Sequence, residues 1–410
     1  MFDHLDIYDP RERWLVGLAD AALAATVWPL TWVRQRAPGK APRRILLLRL
    51  ERIGDFLMSL GAIRAVRDHA PDAVIDLVVG SWNAELAQLV PGIDRVEVLD
   101  TSWLARGNAR VSRTRMWLRT QCWRSQHYDL AINFEGDIRS HLLMAASLAR
   151  RRVGFPMAGG GSLLTDPVAH DPRRHTAMNA LALVERAFDL EPGTLPGPLE
   201  PKGRPLWKLD LPASARAAAE DVLGGAGITR GSAQPLIAVH VAGGRAIKQW
   251  PIERFAETAS RLAHETDARI IFTGTTADRG LVAQAMGGLP DGTPACSLAA
   301  DLPLPVVGAI LERSQLLVTG DTGPMHLAAA VGTPVVGVFG PSDPSRYAPL
   351  SVVARVVRVD LPCSPCNRIR LPPARCVGHT PDCLEHVPVD RVTAAALDLL
   401  SAGRSAAGRP

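Results

Sequence analysis

The sequence contains no Gly-x4-Gly-Lys-Ser/Thr loop, no Gly-x-Gly-x-x-Gly turn behind a predicted strand, and no Gly-x-Ser-x-Gly elbow. These absences argue against a phosphate-loop ATPase, a dinucleotide-dependent hydride-transfer enzyme and an α/β-hydrolase. The turn after the first predicted strand has one glycine, Gly54, where the dinucleotide motif needs three. Dense Lys/Arg stretches with interleaved aromatics are also missing, which argues against a nucleic-acid partner. The net charge is nevertheless +5, with a pI of about 9.1. That mild basicity suits an anionic substrate or an anionic membrane face. No clean membrane-spanning run occurs. The best stretch, Trp14 to Val33, is interrupted by Asp20 and Pro29. Its tryptophans precede Arg34, Arg36, Lys40, Arg43 and Arg44, a pattern that suits a membrane interface as well as a helix packed on the body of the protein. No secretory signal is visible, so a reducing, cytoplasmic setting is expected for the six cysteines, with peripheral contact at the inner membrane face.

What is present alternates. Apolar runs without polar interruption predict buried parallel strands at Arg43–Leu48, Val74–Val79, Val96–Leu99, Leu130–Phe134 and 152–155. Helical stretches lie between them: after Phe56 to about His69, and around Asn83–Val90, Thr114–His127, Asp137–Ala149 and Thr176–Phe188. Leu190 to Pro212 is rich in Pro and Gly and reads as a linker. Alternation then restarts, with strands at Leu236–His240 and Arg269–Thr273 and helices at Ile252–His264, Asp278–Met286 and Pro305–Arg313. Ser351–Val359 adds a strand and Pro388–Leu400 an amphipathic helix. The expected fold class is α/β, with two Rossmann-like doubly wound domains facing a cleft. The expected divisions are a helical extension at 1–41, a first α/β domain at 42–205, a second at 206–387, and a C-terminal helix and tail at 388–410.

Val318 to Gly340 is the most informative stretch. A buried strand ends in Asp321-Thr322-Gly323. Pro324 stands where a first helical residue belongs, and Gly332 closes a short apolar helix before another buried strand. A helix that begins on a glycine turn at the carboxyl end of a strand presents unpaired N–H groups and the positive end of its dipole. That is an anion site suited to phosphate. Alone, the stretch reads equally well as a helix capped by Asp321 and Thr322.

Open α/β sheets bind ligands at the carboxyl ends of their strands. There the first half offers the carboxylate of Asp55. The second offers Lys248, Asp321, Thr322 and the N–H groups after Gly323. A carboxylate on one side and an anion site with a lysine on the other suit transfer of a group from a phosphate leaving group to a hydroxyl. The carboxylate takes the hydroxyl proton, and the cationic side stabilises the departing diphosphate.

Ile53-Gly-Asp55, Lys248-Gln-Trp-Pro251, and Asp321-Thr-Gly-Pro-Met-His326 followed by Gly340-Pro-Ser-Asp343 resemble the lipopolysaccharide heptosyltransferase family. Members of that family use ADP-heptose and have the GT-B fold. The motifs run from about Ile45 to about Val392. The resemblance implies an inverting, metal-independent glycosyltransferase that moves a heptose from ADP-heptose, or a similar nucleotide sugar, onto a lipid-linked saccharide. Asp55 would be the general base and Lys248 a donor contact. Asp321 would hold the donor sugar's hydroxyls and Thr322 with Gly323 the diphosphate, while His326 supports the loop. Relatives carry phosphate-touching hydroxyls before the lysine. Here that loop is Ala242-Gly243-Gly244-Arg245, so backbone N–H groups or Arg245 take their place. A nucleotide-sugar epimerase of the same fold and a non-catalytic nucleotide-binding module are the alternatives.

Arg49 and Arg52 near Asp55 are candidate acceptor contacts. So are Glu135, Asp137, Arg139 and His141 at a strand end, although a solvated helix start explains these as well. Cys363, Cys366, Cys376 and Cys383 offer four thiols for a structural zinc, with His379 as a substitute ligand. The second pair lacks the usual short spacing, which favours free or redox-paired thiols. No cofactor is expected for catalysis.

Overall fold

A computed structural model describes residues 2–31, 41–104, 113–197, 208–232 and 234–407. The chain divides into two compact units, Met1–Pro198 and Leu199–Pro410. The domain boundary expected at 205/206 and the basic residues Arg34, Arg36 and Lys40 lie outside the described residues.

The first unit is built on six parallel strands: β1 (Arg44–Arg49), β2 (Val74–Val79), β3 (Arg95–Val98), β4 (Leu130–Asn133), β5 (Arg151–Gly154) and β6 (Asp166–Pro167). Their order is β3-β2-β1-β4-β5-β6, the doubly wound order whose direction reverses between β1 and β4. Ile45 to Leu48 are wholly buried, because helices cover both faces of this central strand. One face packs Leu46, Leu48, Val78 and Ala131 against Trp123, Tyr128 and Met144.

The second unit repeats the plan. Its strands are β7 (Leu236–His240), β8 (Arg269–Gly274), β9 (Ala295–Ala299), β10 (Leu316–Gly320), β11 (Val335–Val338) and β12 (Ala354–Val357). They lie in the order β12-β11-β10-β7-β8-β9, which reverses between β7 and β10. The helix Ile252–Thr266 buries Ile252, Phe255, Ala256, Ala259, Leu262 and Ala263, one stripe at three- and four-residue spacing. It packs beside the C-terminal helix Val389–Ala407, which supplies Val392, Ala396 and Leu399 to the same core. A buried leucine such as Leu262 contributes about 2 kcal/mol by transfer from water, and its truncation to alanine costs about 2–5 kcal/mol once the cavity is counted.

Several boundaries differ from expectation for local reasons. The stretch expected as a helix over Asn83–Val90 is a 3-10 turn, Ser81–Asn83, and one α-turn, Ala84–Ala87. The helix expected to reach Ala149 stops at Ala146, since Leu148 takes a left-handed conformation with φ of 57°. Strands β6 and β9 form edges that the pattern did not announce: one has only two residues, and the other is small and half exposed.

The N-terminal extension is a helix, Pro10–Thr31. It packs on the loop after β5, where Asp20 Oδ1 accepts from the Gly160 amide at 2.7 Å. Trp14, Leu15 and Leu18 stay 53%, 62% and 43% exposed. Among the described residues no helix is long and apolar enough to cross a membrane.

Candidate functional site

In the first unit the chain leaves β1 through Leu50–Arg52 and starts the helix Ile53–Met58. That helix begins at Arg52 without a side-chain cap, so Asp55 does not serve as one. The Asp55 side chain keeps 31% of its surface and stands 3.8 Å from Arg49 Nη2. Arg49 itself is buried. Its Nε and Nη2 donate to the Asp55 carbonyl at 3.1 and 2.8 Å, and its Nη1 donates to the Phe134 carbonyl at 3.0 Å.

Of the candidate acceptor residues, Glu135 turns out to be internal. It is 6% exposed, and its Oε1 accepts from the Leu50 and Glu51 amides at 2.8 and 3.0 Å. Arg49 Nη1 is 3.7 Å from the same oxygen. Burial pushes the Glu135 carboxyl up to about 8 against the opposing pull of Arg49. Asp137 caps the helix Ile138–Ala146 by accepting from the Arg139 amide at 2.6 Å, and it also pairs with the Arg139 guanidinium. That guanidinium lies 5.2 Å from the centre of the Trp103 ring and 3.7 Å from Glu12 of the N-terminal helix. His141 is enclosed. Asn133 Nδ2 lies 2.7 Å from its Nδ1 and the Phe155 carbonyl 2.9 Å from its Nε2, and burial lowers its pKa. Arg52 is half-buried at the helix start.

In the second unit β7 and β10 are hydrogen-bonded neighbours at the reversal point, so the loops leaving them emerge side by side. The loop after β7 runs through Gly243, Gly244 and Arg245 into a 3-10 turn, Ala246–Lys248. Gly244 has φ of +64°, which glycine adopts without strain. A Cβ on Gly243 would come within 2.9 Å of the Arg245 carbonyl and the Gln249 amide, so this turn closes only around a hydrogen. Arg245 is exposed. Trp250 anchors the loop from beneath, fully buried and donating to the Val387 carbonyl at 3.2 Å. Lys248 Nζ lies 2.6 Å from Asp321 Oδ2, with the two side chains 20% and 10% exposed.

After β10, Thr322 is the N-cap of the helix Gly323–Val331, with extended backbone and no side-chain hydrogen bond to the first turn. Its hydroxyl instead pairs with Thr319 Oγ1 at 3.1 Å. The capped-helix reading of Asp321 and Thr322 is therefore not what the structure contains. Asp321 is engaged by Lys248, and the positive helix end keeps its capacity for an anion. His326 is buried in the first turn, 6% exposed.

Sequence reasoning missed His240, the last residue of β7. It is 8% exposed, with Nδ1 3.1 Å from Thr273 Oγ1, and burial lowers its pKa to about 4. A lone histidine closing the apolar run Leu-Ile-Ala-Val was the available signal. Arg49 reads in sequence as a candidate acceptor contact or a surface arginine, because an arginine at a strand end does not reveal which carbonyls it will reach.

The six cysteines are free thiols. Among the described residues no group of three or more His, Cys, Asp or Glu side chains is placed to hold a metal ion. Cys363, Cys366 and Cys376 nevertheless lie near enough to Cys383 to add, after burial, to the rise of its thiol pKa. The Cys-rich loop braces the segment after β11. Ser364 Oγ donates to the Gly340 carbonyl at 2.8 Å, and the Cys366 and Asn367 amides donate to the Pro341 carbonyl at 3.1 and 2.8 Å. Cys383 is buried against Gly340, and burial pushes its thiol up to about 11.

Two sheets of the same doubly wound order in one chain, each with polar groups gathered at its reversal point, are the architecture of the GT-B fold. Residues 117–373 match the sequence model of glycosyltransferase family 9 (heptosyltransferase), and the chain belongs to that family. It is 24% identical over 325 residues to the lipopolysaccharide core heptosyltransferase OpsX of Haemophilus influenzae, covering 78% of this chain and 85% of the relative. It is 27% identical to lipopolysaccharide heptosyltransferase 2 of Salmonella typhimurium, covering 77% and 88%. The solved E. coli ADP-heptose lps heptosyltransferase II has the same fold, with a TM-score of 0.69 and 21% identity over 88% of this chain and 99% of that one.

Proposed function

We propose that this glycosyltransferase moves a heptose from ADP-heptose to a lipid-linked saccharide of the lipopolysaccharide core, with inversion and without a catalytic metal. The first unit handles the acceptor and the second the donor. The observation that carries the reading is the pairing of Lys248 with Asp321 beside a helix N-terminus that no side chain caps. A cation and an open ring of amides suit a diphosphate, and a carboxylate suits sugar hydroxyls. Asp55 takes the proton of the acceptor hydroxyl as that oxygen attacks the anomeric carbon. The bond to ADP breaks on the opposite face, and the charge gathering on the diphosphate meets Lys248 and the amides from Gly323 onward. Gly243, Gly244 and Arg245 close over the phosphates. His326 keeps the turn in shape.

The names of the relatives support the heptose donor and the lipopolysaccharide acceptor. The exposed Trp14, Leu15 and Leu18 support contact with the cytoplasmic membrane surface, where a lipid-linked acceptor resides. The deciding experiment is Asp55→Asn, assayed for ADP release from ADP-heptose with heptose-deficient lipopolysaccharide as acceptor. Turnover falls by at least about a hundredfold while ADP affinity stays within about twofold of wild type. Full activity in this variant would falsify the mechanism.

A further inference from the structure

Arg49 and Glu135 form a buried unit behind Asp55 that the reaction as described does not use. They lie at the carboxyl ends of β1 and β4, the two strands flanking the reversal point of the first sheet. Glu135 gathers two successive amides, those of Leu50 and Glu51, onto one oxygen. Arg49 reaches across to the carbonyls of Phe134 and Asp55. The loop carrying Asp55 is thus tied to β4 from both sides. The guanidinium stands 3.7 Å from Glu135 Oε1 and 3.8 Å from Asp55 Oδ1, so one buried cation is shared between two carboxylates.

We propose that Arg49 and Glu135 are positioning residues for Asp55. Arg49 fixes the backbone of the turn that carries Asp55, and Glu135 fixes the Leu50 and Glu51 amides at the base of that turn. This rests on the reading of Asp55 as the general base. The fork geometry explains why arginine stands here. Three separate hydrogen bonds leave in fixed directions from one planar group, which a lysine ammonium on a flexible stem does not reproduce. Glu135 sets one oxygen under two successive amides, so a side chain that keeps an acceptor there holds the turn and one without an acceptor releases it.

The test measures kcat and KM for ADP release from ADP-heptose, with heptose-deficient lipopolysaccharide as acceptor. It compares wild type, Arg49→Lys, Glu135→Gln, Glu135→Ala and Asp55→Asn. Arg49→Lys keeps the charge and loses the fork, so kcat falls about 10- to 100-fold with the donor KM unchanged. Glu135→Gln keeps an acceptor for the two amides and holds kcat within about threefold of wild type, whereas Glu135→Ala loses the acceptor and falls about as far as Arg49→Lys. A merely structural role lowers the melting temperature and leaves the kcat of the folded fraction unchanged. A kcat within twofold of wild type in Arg49→Lys and Glu135→Ala, with Asp55→Asn inactive, overturns the positioning role and leaves the base standing. An active Asp55→Asn overturns both. Should Glu135→Ala fail to fold, a kcat for Arg49→Lys within twofold of wild type overturns the proposal on its own.

Discussion

Lys248 Nζ and Asp321 Oδ2 are 2.6 Å apart, across the point where the second sheet reverses direction. Each comes from a loop that the other strand's loop adjoins, and each is mostly withdrawn from water. A partly buried pair like this is costly to break from one side, because the remaining charge keeps its desolvation cost and loses its partner. Lys248→Met therefore weakens ADP binding at least about tenfold and destabilises the ligand-free protein by about 1–3 kcal/mol. The double variant Lys248→Met/Asp321→Asn regains most of the stability and none of the affinity. Thermal denaturation and calorimetric titration with ADP separate the two effects. Loss of stability without loss of ADP affinity would confine the lysine to a structural role.

The turn at Gly243 leads to a second outcome. A methyl group there meets backbone on two sides at 2.9 Å, the Arg245 carbonyl and the Gln249 amide, so the chain itself must shift. Lys248 sits one residue before Gln249, and the Lys248 carbonyl would be 3.3 Å from a Cβ on Gly320 at the end of β10. Gly243→Ala therefore displaces the lysine along with its loop. ADP affinity falls by about tenfold or more while the melting temperature changes by only a few degrees, since the core beneath is anchored separately by Trp250. Gly244→Ala is strained in backbone, at φ of +64°, at a cost of about 1 kcal/mol. Titration of both variants with ADP ranks them, and equal affinity in Gly243→Ala and wild type contradicts the steric argument.

The two sheets were legible because buried parallel strands leave uninterrupted apolar runs, as in Ile45–Leu48 and Leu236–Val239. The motif residues were legible because glycine turns at strand ends have few other uses. Less visible was the behaviour of polar groups that become internal. Glu135, taken as a candidate acceptor contact, reads in sequence like any acid after a strand. Only the parallel pairing of β1 with β4 brings it under the Leu50 and Glu51 amides. His240 escaped for the same reason, since its enclosure depends on Thr273 of the neighbouring strand. That Cys363, Cys366 and Cys376 come near Cys383 is likewise a matter of how the Pro-rich loop folds back, which spacing does not give. Short edges such as β6 carry too few residues for any period to appear.

His240 makes stability depend on pH. Burial is the main cause of its lowered pKa, and the hydrogen bond with Thr273 and the charge of Asp278 oppose it without cancelling it. Its pKa is about 4 in the fold against 6.5 for the ordinary side chain. The unfolded chain therefore binds the extra proton first as pH falls. The stability in question is fully present above pH 6.5 and is lost as pH drops towards 4, by about 3 kcal/mol in total. His240→Asn removes the titration, so the slope of stability against pH between 6.5 and 4 flattens relative to wild type. Urea denaturation at intervals of half a pH unit shows this. An unchanged slope in the variant would assign the acid sensitivity to other groups.

The helix Pro10–Thr31 has a packed side and an exposed side. Asp20 and Glu12 face the first unit, through the Gly160 amide and Arg139. Trp14, Leu15 and Leu18 face away from it, within little more than one helical turn, and remain largely exposed. Burying such side chains in an acyl boundary gains about 1.5–3 kcal/mol each when complete. The sequence continues into Arg34, Arg36, Lys40 and Arg43, and basic residues near an anionic surface add about 1 kcal/mol apiece. Wild-type protein is thus expected to float with vesicles containing anionic lipid, less well with neutral vesicles, and less well as ionic strength rises. Trp14→Ser/Leu15→Ser/Leu18→Ser leaves the Asp20 and Glu12 contacts intact, so it keeps its fold and its ADP affinity while losing most of the flotation. On lipopolysaccharide presented in vesicles its turnover drops, and on a detergent-free, delipidated acceptor it matches wild type. Equal flotation of variant and wild type would place the membrane contact elsewhere on the chain.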